Sequence, residues 1–231
     1  MSMYEIPRFY LEDAPMVGRV GKCTLENFQG DPILIAELKE LAKDQRSVVF
    51  LHKTRVTGAG KTHLAIGYMI ESANQDAKER PVFLNVIHTS PEGREFSRRE
   101  QSGTEPGRID PRDYRFIRAE DLIGVTSKAG FENETNYRGL VKTKCVLIDE
   151  FGRTPLGFGK DVLDDSTLMT RFVSEREDWK RQTIITSPLS LADCKQRYDP
   201  CIIRRIEDGG GRVIELKTPR YRAAADAIRK G

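Results

Sequence analysis

Long apolar runs are missing from this sequence. No stretch approaches the roughly 20 residues that a membrane-spanning helix needs. The first ten residues carry Glu5, Pro7 and Arg8, and they lack the apolar segment of a secretory signal peptide. We therefore expect a soluble protein that resides in the cytoplasm.

Cysteine is scarce as well. The four cysteines, Cys23, Cys145, Cys194 and Cys201, are scattered, no C-x-x-C pair occurs, and the three histidines are not clustered. This spacing argues against a disulfide framework and a zinc site, and it fits a reducing compartment. Cys145 lies in an apolar run, so we expect it to be a small core residue.

The chain also lacks a strong excess of charge. It has 38 basic and 35 acidic residues, a net charge of +3, which is too small to indicate a nucleic-acid ligand. Residues 88–120 hold seven arginines but also seven acids, and are therefore neutral. Residues 217–231 hold five basic residues and one acid, a pattern typical of either a DNA-contacting segment or a solubilising tail.

What the chain does have is alternation of strand and helix patterns. Apolar spacing predicts helices over Ile33–Leu41 and Lys61–Ala73, a helix start at Ala119–Ile123, and a helix from Asp165 or Ser166 whose stripe contains Leu168, Met169, Phe172, Val173 and Trp179. Ser190-x-x-Asp193 predicts a capped helix that runs to about Tyr198. Strands are predicted at Ser47–Leu51, Val82–Ile87, Tyr114–Arg118, Lys144–Asp149, Thr183–Ser187 and Arg212–Leu216.

This order indicates one three-layer α/β domain with a mainly parallel sheet and no separate helical lid domain. We expect an irregular N-terminal arm over residues 1–23, the domain over 24–222, and a basic tail over 223–231. Residues 88–114, which are polar and interrupted by proline and glycine, are predicted to be a surface insertion.

A phosphate-binding loop is the clearest chemical motif. Thr57-Gly58-Ala59-Gly60-Lys61-Thr62 lies between a predicted strand and a predicted helix, and it matches G-x-x-x-x-G-K-[ST] except that Arg55 replaces the first glycine. Backbone N–H groups of such a loop wrap phosphate, the lysine contacts the β- and γ-phosphates, and the hydroxyl binds Mg²⁺. The helix N-terminus adds a favourable dipole.

Acidic residues end the strongest strand pattern. Asp149 can hold Mg²⁺, and Glu150 can polarise an attacking water. Ser187, after the next strand, is either a sensor of the γ-phosphate or part of a turn before Pro188. Arg205, in an Arg204-Arg205 pair, is either an arginine finger for a neighbouring subunit or a solvated residue beside a buried helix face.

Taken in order, the motifs resemble the DnaC/IstB-like branch of AAA+ ATPases, which contains replicative-helicase loaders and transposition helpers. The segments that carry the resemblance are Thr24–Phe28, Thr57–Ala65, Leu147–Gly152, Ile184–Ser187, Ile203–Ile206 and Tyr221-Arg222. In this sequence Pro188 stands where that branch usually has a sensor asparagine.

The resemblance implies a set of site residues and ligands. ATP and Mg²⁺ would bind at the loop, including His63, with Thr62 and Asp149 on the metal. Glu150 would activate water, Ser187 would be a sensor, Arg205 a finger and Arg222 a second sensor. The implied partners are single-stranded DNA, a replicative helicase and further copies of this chain.

Two alternatives remain open. A transposition helper would act with a transposase instead of a helicase. A nucleotide-binding adaptor would have lost hydrolysis, and Arg55 and Pro188 are the residues that favour it.

Overall fold

The computed structural model describes residues 23–52, 60–76, 80–89, 95–105, 113–127, 131–153, 165–198 and 200–216. Residues 1–22, residues 53–59, which include part of the predicted phosphate-binding motif, Arg222 and the predicted tail 223–231 lie outside these ranges. Seven strands are described: β1 (Val48–His52), β2 (Arg80–Thr89), β3 (Glu95–Glu105), β4 (Tyr114–Arg118), β5 (Cys145–Asp149), β6 (Gln182–Thr186) and β7 (Arg212–Leu216). Seven helices are described: α1 (Pro32–Lys43), α2 (Lys61–Asp76), α3 (Ala119–Ser127), α4 (Phe131–Lys142), α5 (Asp165–Asp178), α6 (Leu191–Arg197) and α7 (Cys201–Asp208).

Five strands form one parallel sheet in the order β4-β5-β6-β1-β7. The carboxyl ends of all five strands therefore meet at one edge, here called the carboxyl edge, and their starts meet at the amino edge. β1 lies between β6 and β7. After β1 the main sheet continues at the outer strand β4, returns through β5 and β6 towards β1, and ends at β7 on the other side of β1. Ligands of open α/β sheets bind outside the carboxyl ends at such a switch point.

Helices cover both faces of this sheet. The side chains of β1 alternate between two apolar clusters: Val48 and Phe50 pack with α1 and α2, whereas Val49 and Leu51 pack with α3 to α7. Both clusters are closed to solvent, and Cys145 is fully buried in the first of them. The predicted three-layer, mainly parallel α/β architecture is thus confirmed.

Side-chain caps start two of the helices as their sequences indicate. Asp31 accepts a hydrogen bond from the Ile33 N–H at the start of α1, and Pro32 occupies the first turn. Ser190 and Asp193 form the predicted capping box of α6. Among the described residues, no helix combines the length and the apolar character that crossing a bilayer would require.

The predicted strand Val82–Ile87 does not belong to the main sheet. It lies in β2, which pairs with β3 in a separate antiparallel two-stranded sheet. The main sheet resumes at Tyr114, at the end of the predicted 88–114 segment. A half-apolar strand pattern does not specify which strand it pairs with. Here β2 pairs with β3, the next strand along the chain.

Trp179 also departs from its predicted place. Leu168, Met169, Phe172 and Val173 are buried as the stripe predicts, but α5 ends at Asp178 and the indole of Trp179 is 56% exposed. The chain turns immediately afterwards, because Lys180 adopts a left-handed φ of 51°. The prediction that Trp179 belongs to the buried stripe was wrong.

Candidate nucleotide site at the carboxyl edge

The predicted phosphate and magnesium residues converge at the carboxyl edge. β1 ends at His52 and leads into residues 53–59, after which Gly60 precedes α2. Asp149 is the last residue of β5, and Thr186 is the last residue of β6. Thr57, Gly58 and Ala59, together with Arg55, lie outside the described residues, so the structure gives no geometry for them.

Asp149 is held between two threonines. The Thr62 hydroxyl donates to Asp149 Oδ1 across 2.9 Å, and the Thr186 hydroxyl donates to the same oxygen. The carboxylate is 3% exposed. Burial raises the pKa of Asp149, and the hydrogen bonds from Thr186 and Thr62 oppose that rise. The site thus places an anionic oxygen and a hydroxyl oxygen side by side.

Lys61 begins α2 next to this carboxylate. Its side chain is half-buried, and burial lowers its pKa while the charge of Asp149 opposes that shift. Gly60, just before it, has φ +83°, and a Cβ there would lie 2.7 Å from Cε2 of Phe28. A residue with a side chain would be strained in this backbone conformation and would also approach Phe28 too closely. Both effects explain why the last small residue of the motif is a glycine.

Glu150 follows Asp149 in a left-handed conformation, with φ 60°. Its N–H donates to the Thr186 hydroxyl oxygen across 3.1 Å, which fixes the backbone of the turn. Its carboxylate is partly exposed and forms an ion pair with Arg153. Non-glycine residues in this conformation occur often at functional sites.

Thr186 and Ser187 face different surroundings. The Ser187 hydroxyl is fully buried, donates to the Phe151 carbonyl across 2.6 Å and accepts from the Leu189 N–H across 3.1 Å. The structure therefore places Thr186, and not Ser187, against Asp149. Sequence reasoning identified this polar pair but selected Ser187 as the sensor. Alternation along a strand indicates that Thr186 and Ser187 face opposite ways, but the sequence does not show which of the two faces Asp149.

His63 contacts the segment before α1. Its Nε2 lies 2.7 Å from Asn27 Oδ1 and 3.1 Å from the Thr24 carbonyl oxygen, and its ring packs edge-on against Phe28. The same segment lies tightly on α2, because a Cβ at Gly67 would approach the Leu25 backbone nitrogen to 2.8 Å. His63 thus anchors this segment beside Gly60.

Arg205 lies at the other edge of the sheet. It is exposed in α7 and pairs with Asp178 across 3.2 Å, and both α5 and α7 end where the next strand begins. The fold of one chain therefore does not bring Arg205 to Asp149. Arg222, the predicted second sensor, lies outside the described residues.

The donor set fits a magnesium-bound phosphate. Mg²⁺ prefers oxygen ligands and is often held by one or two protein oxygens together with substrate phosphates. Thr62 and Asp149 supply such oxygens beside a lysine at a helix N-terminus. The described residues contain no group of three or more His, Cys, Asp or Glu side chains that could hold a metal alone.

A parallel sheet that carries a candidate site at the carboxyl ends of its strands is a doubly wound α/β fold. Neither a family model nor a curated protein sequence matches the chain. Solved structures do match, and they have the AAA+ fold that the motifs indicated.

Three of these structures show the extent of the likeness. The DnaC helicase loader superposes with a TM-score of 0.56 at 14% identity, over 86% of this chain and 99% of that chain. DnaI gives 0.52 at 10% identity, over 87% and 93%. AMPPCP-bound DnaA from Aquifex aeolicus gives 0.51 at 14% identity, over 91% of this chain and 55% of that chain. The chain thus has an AAA+ fold, shared with helicase loaders and initiators, and spans about half of DnaA.

Proposed function

We propose that this protein is an ATP-binding, magnesium-dependent ATPase of the helicase-loader type that acts in DNA replication. One observation carries the proposal: Asp149 is buried between the hydroxyls of Thr62 and Thr186, with Lys61 beside it at a helix N-terminus. The loader-like fold supports the biological setting.

The residues have complementary roles in this proposal. Thr57, Gly58, Ala59 and Gly60 would wrap the phosphates, and Lys61 would attract the β- and γ-phosphates. Thr62 and Asp149 would hold Mg²⁺, which neutralises phosphate charge.

For hydrolysis, Glu150 would have to orient the attacking water. To orient water, its carboxylate must leave the ion pair with Arg153. Both side chains of this pair are substantially exposed, and such pairs are worth only about 0–1 kcal/mol, so the change is accessible. The Thr186 hydroxyl donates to Asp149 and accepts from the Glu150 N–H. Thr186 would therefore link the binding of Mg²⁺ at Asp149 to the position of the Glu150 backbone.

Nucleotide binding tests the site directly. We expect Lys61→Ala and Asp149→Asn to weaken binding of a fluorescent ATP analogue in the presence of Mg²⁺. Lys195→Ala is the matched control, because Lys195 is an exposed lysine of α6 outside the site. Unchanged affinity and turnover in Lys61→Ala would refute the site assignment.

The position of Arg205 supports action between subunits. Because Arg205 lies at the amino edge, it would complete the site of a second copy of the chain. Arg205→Ala and Glu150→Gln should each lose ATPase activity alone, and a mixture should recover part of it, since one chain supplies the finger and the other supplies the intact site. Arg204→Ala, an exposed neighbour, is the control. A mixture with no recovery would contradict the arrangement.

Single-stranded DNA and a replicative helicase are the proposed partners. A solved DnaA structure, described as a replication initiator bound to AMPPCP and single-stranded DNA, matches this chain with a TM-score of 0.52. Steady-state ATP turnover with and without single-stranded DNA tests the enzymatic part. Absence of turnover under both conditions would favour the adaptor alternative, and stimulation by a transposase instead of a helicase would favour the transposition helper.

A further inference from the structure

Trp179 is the only tryptophan of the chain, and it is exposed. Among the described residues, Ile33 is the other large apolar side chain with high exposure. The indole lies at the amino edge of the sheet, just after α5, away from Asp149 at the carboxyl edge. An exposed indole with a cationic surrounding is a feature of surfaces that bind unpaired bases.

Three basic residues lie on or beside the two turns that meet near the indole. β5 and β6 are parallel neighbours, and the Gln182 N–H donates to the Lys144 carbonyl across 3.0 Å. The turn before β5 therefore lies against the turn before β6. The Lys142 ammonium is 5.9 Å from the centroid of the Trp179 ring, and Lys180 and Arg181 follow the indole directly. We call Lys142, Trp179, Lys180 and Arg181 the basic–aromatic platform.

The acids near the platform have other partners. Asp178 pairs with Arg205, Asp76 pairs with Lys144, and the Glu177 carboxylate accepts a hydrogen bond from Ser47. Within the described part of the chain, the three cations of the platform form no salt bridge with an acid. Lys180 and Arg181 also line a cavity of about 510 Å³. Its other charged lining residues are Arg46 and the acids Asp44 and Glu177, so the two cations are reachable but share the cavity with negative charge.

A buried arginine holds the two turns in place. The guanidinium of Arg176 donates to the Leu140 carbonyl in the last turn of α4 and to the Thr143 carbonyl in the turn before β5, across 2.6 and 2.9 Å. It also donates to the carbonyl of Gln182, the first residue of β6. Arg176 is fully buried. The platform is therefore preorganised, which lowers the entropic cost of binding a flexible strand.

We propose that the basic–aromatic platform binds single-stranded DNA, with one base stacked on Trp179 and backbone phosphates contacted by Lys142, Lys180 and Arg181. This inference rests on the proposed function, because it assigns a surface to the DNA partner. The platform lies at the opposite ends of β5 and β6 from Asp149 and Thr186, about 15 Å away along five-residue strands. Single-stranded DNA and ATP therefore occupy separate sites.

The sole tryptophan provides a direct test. Titration of the wild-type chain with an oligo(dT) 20-mer should quench its fluorescence, because base stacking quenches an indole. Anisotropy of labelled oligo(dT) should show roughly 5- to 150-fold weaker binding for Trp179→Ala, with partial recovery in Trp179→Phe. Lys180→Ala should lower the slope of log affinity against log salt by about 0.7, whereas Trp179→Ala should leave the slope unchanged.

Matched controls separate the platform from general effects. Ile33→Ala removes the other exposed apolar side chain, and Lys195→Ala removes an exposed lysine elsewhere; both should bind DNA as the wild type does. Circular dichroism checks that each variant is folded, and exposure of Trp179 makes loss of folding unexpected.

Several outcomes would overturn the proposal. DNA binding without a fluorescence change, or equal affinity of Trp179→Ala and Ile33→Ala, would place DNA elsewhere on the chain. Quenching by a helicase but not by DNA would make the platform a protein interface. Absence of any DNA binding would refute this proposal. The ATP-binding part of the proposed function would then still be tested separately, by binding of the nucleotide analogue.

Discussion

Arg176 should be among the most sensitive positions for stability, and Arg176→Met tests why. The guanidinium is fully buried and makes five hydrogen bonds: to the carbonyls of Leu140, Val141, Thr143 and Gln182 and to the hydroxyl of Thr183. Burial lowers the pKa of Arg176 to about 10, so the side chain remains charged at neutral pH. Methionine fills a similar volume but donates no hydrogen bond.

The expected loss follows from two opposing effects. Three of the hydrogen bonds, to Val141, Gln182 and Thr183, are fully buried, and an orphaned buried acceptor costs about 1–3 kcal/mol. Removing the buried charge recovers about 3 kcal/mol, from the fall of its pKa from 12.5 to about 10. Three orphaned acceptors together cost about 3–9 kcal/mol, so the net loss is about 0–6 kcal/mol. The centre of that range, about 3 kcal/mol, lowers Tm by roughly 6–12 °C for a domain of this size.

Thermal unfolding measured by circular dichroism checks this value against a control on the same helix. Arg171 is exposed and pairs with Glu175, so Arg171→Met should cost less than about 1 kcal/mol. If Arg176→Met and Arg171→Met have the same Tm, the buried hydrogen bonds of Arg176 do not stabilise the fold as we infer. A measurable loss specific to Arg176→Met would support the reasoning.

Three further predictions concern single positions. Burial raises the pKa of Asp149, so its charge destabilises the fold at pH 7, and this penalty fades as the pH falls. In thermal scans without ligand, Asp149→Asn should therefore have a Tm equal to or above that of the wild type. Mg-ATP should raise the Tm of this variant less than it raises the wild-type Tm, and equal ligand stabilisation is the contradicting result. Ser190→Ala removes the cap of α6 and should cost about 1 kcal/mol, measured as a lower denaturant midpoint. Burial raises the pKa of the Cys145 thiol to about 12, so iodoacetamide at pH 8 should label the half-buried Cys201 well before Cys145, as read by peptide mass spectrometry. Equal labelling rates or an unchanged midpoint would each contradict the corresponding inference.

The sequence predicted those parts of the site that depend on contiguous motifs and strand ends. Lys61 and Thr62 follow a strand, and Asp149 ends another; in a parallel sheet such ends meet at one edge, so their contact follows from the topology. The main-sheet strand Arg212–Leu216 was predicted with its observed bounds, because its apolar residues lie between three glycines and a nearby proline, which leaves little ambiguity.

Other features depend on geometry that a pattern does not contain. Whether Thr186 or Ser187 faces Asp149 is set by the direction of each side chain where the strand ends. Val82–Ile87 has the composition of a core strand, yet its pairing with β3 places it outside the main sheet. Arg176 lies in a highly charged stretch, where nothing in the sequence separates a buried arginine from a solvated one.

The positions of the two candidate ligands also bear on how they communicate. β5 and β6 are buried along their whole length, and Arg176 ties the turns that precede them, so the platform and Asp149 lie at the two ends of one rigid unit. Arg205 is bonded to Asp178, which directly precedes Trp179, so a neighbouring subunit that engages Arg205 would act next to the platform. Because a rigid unit has no second arrangement to select, any effect of ATP on DNA binding should arise from assembly of subunits and not from a movement inside one chain.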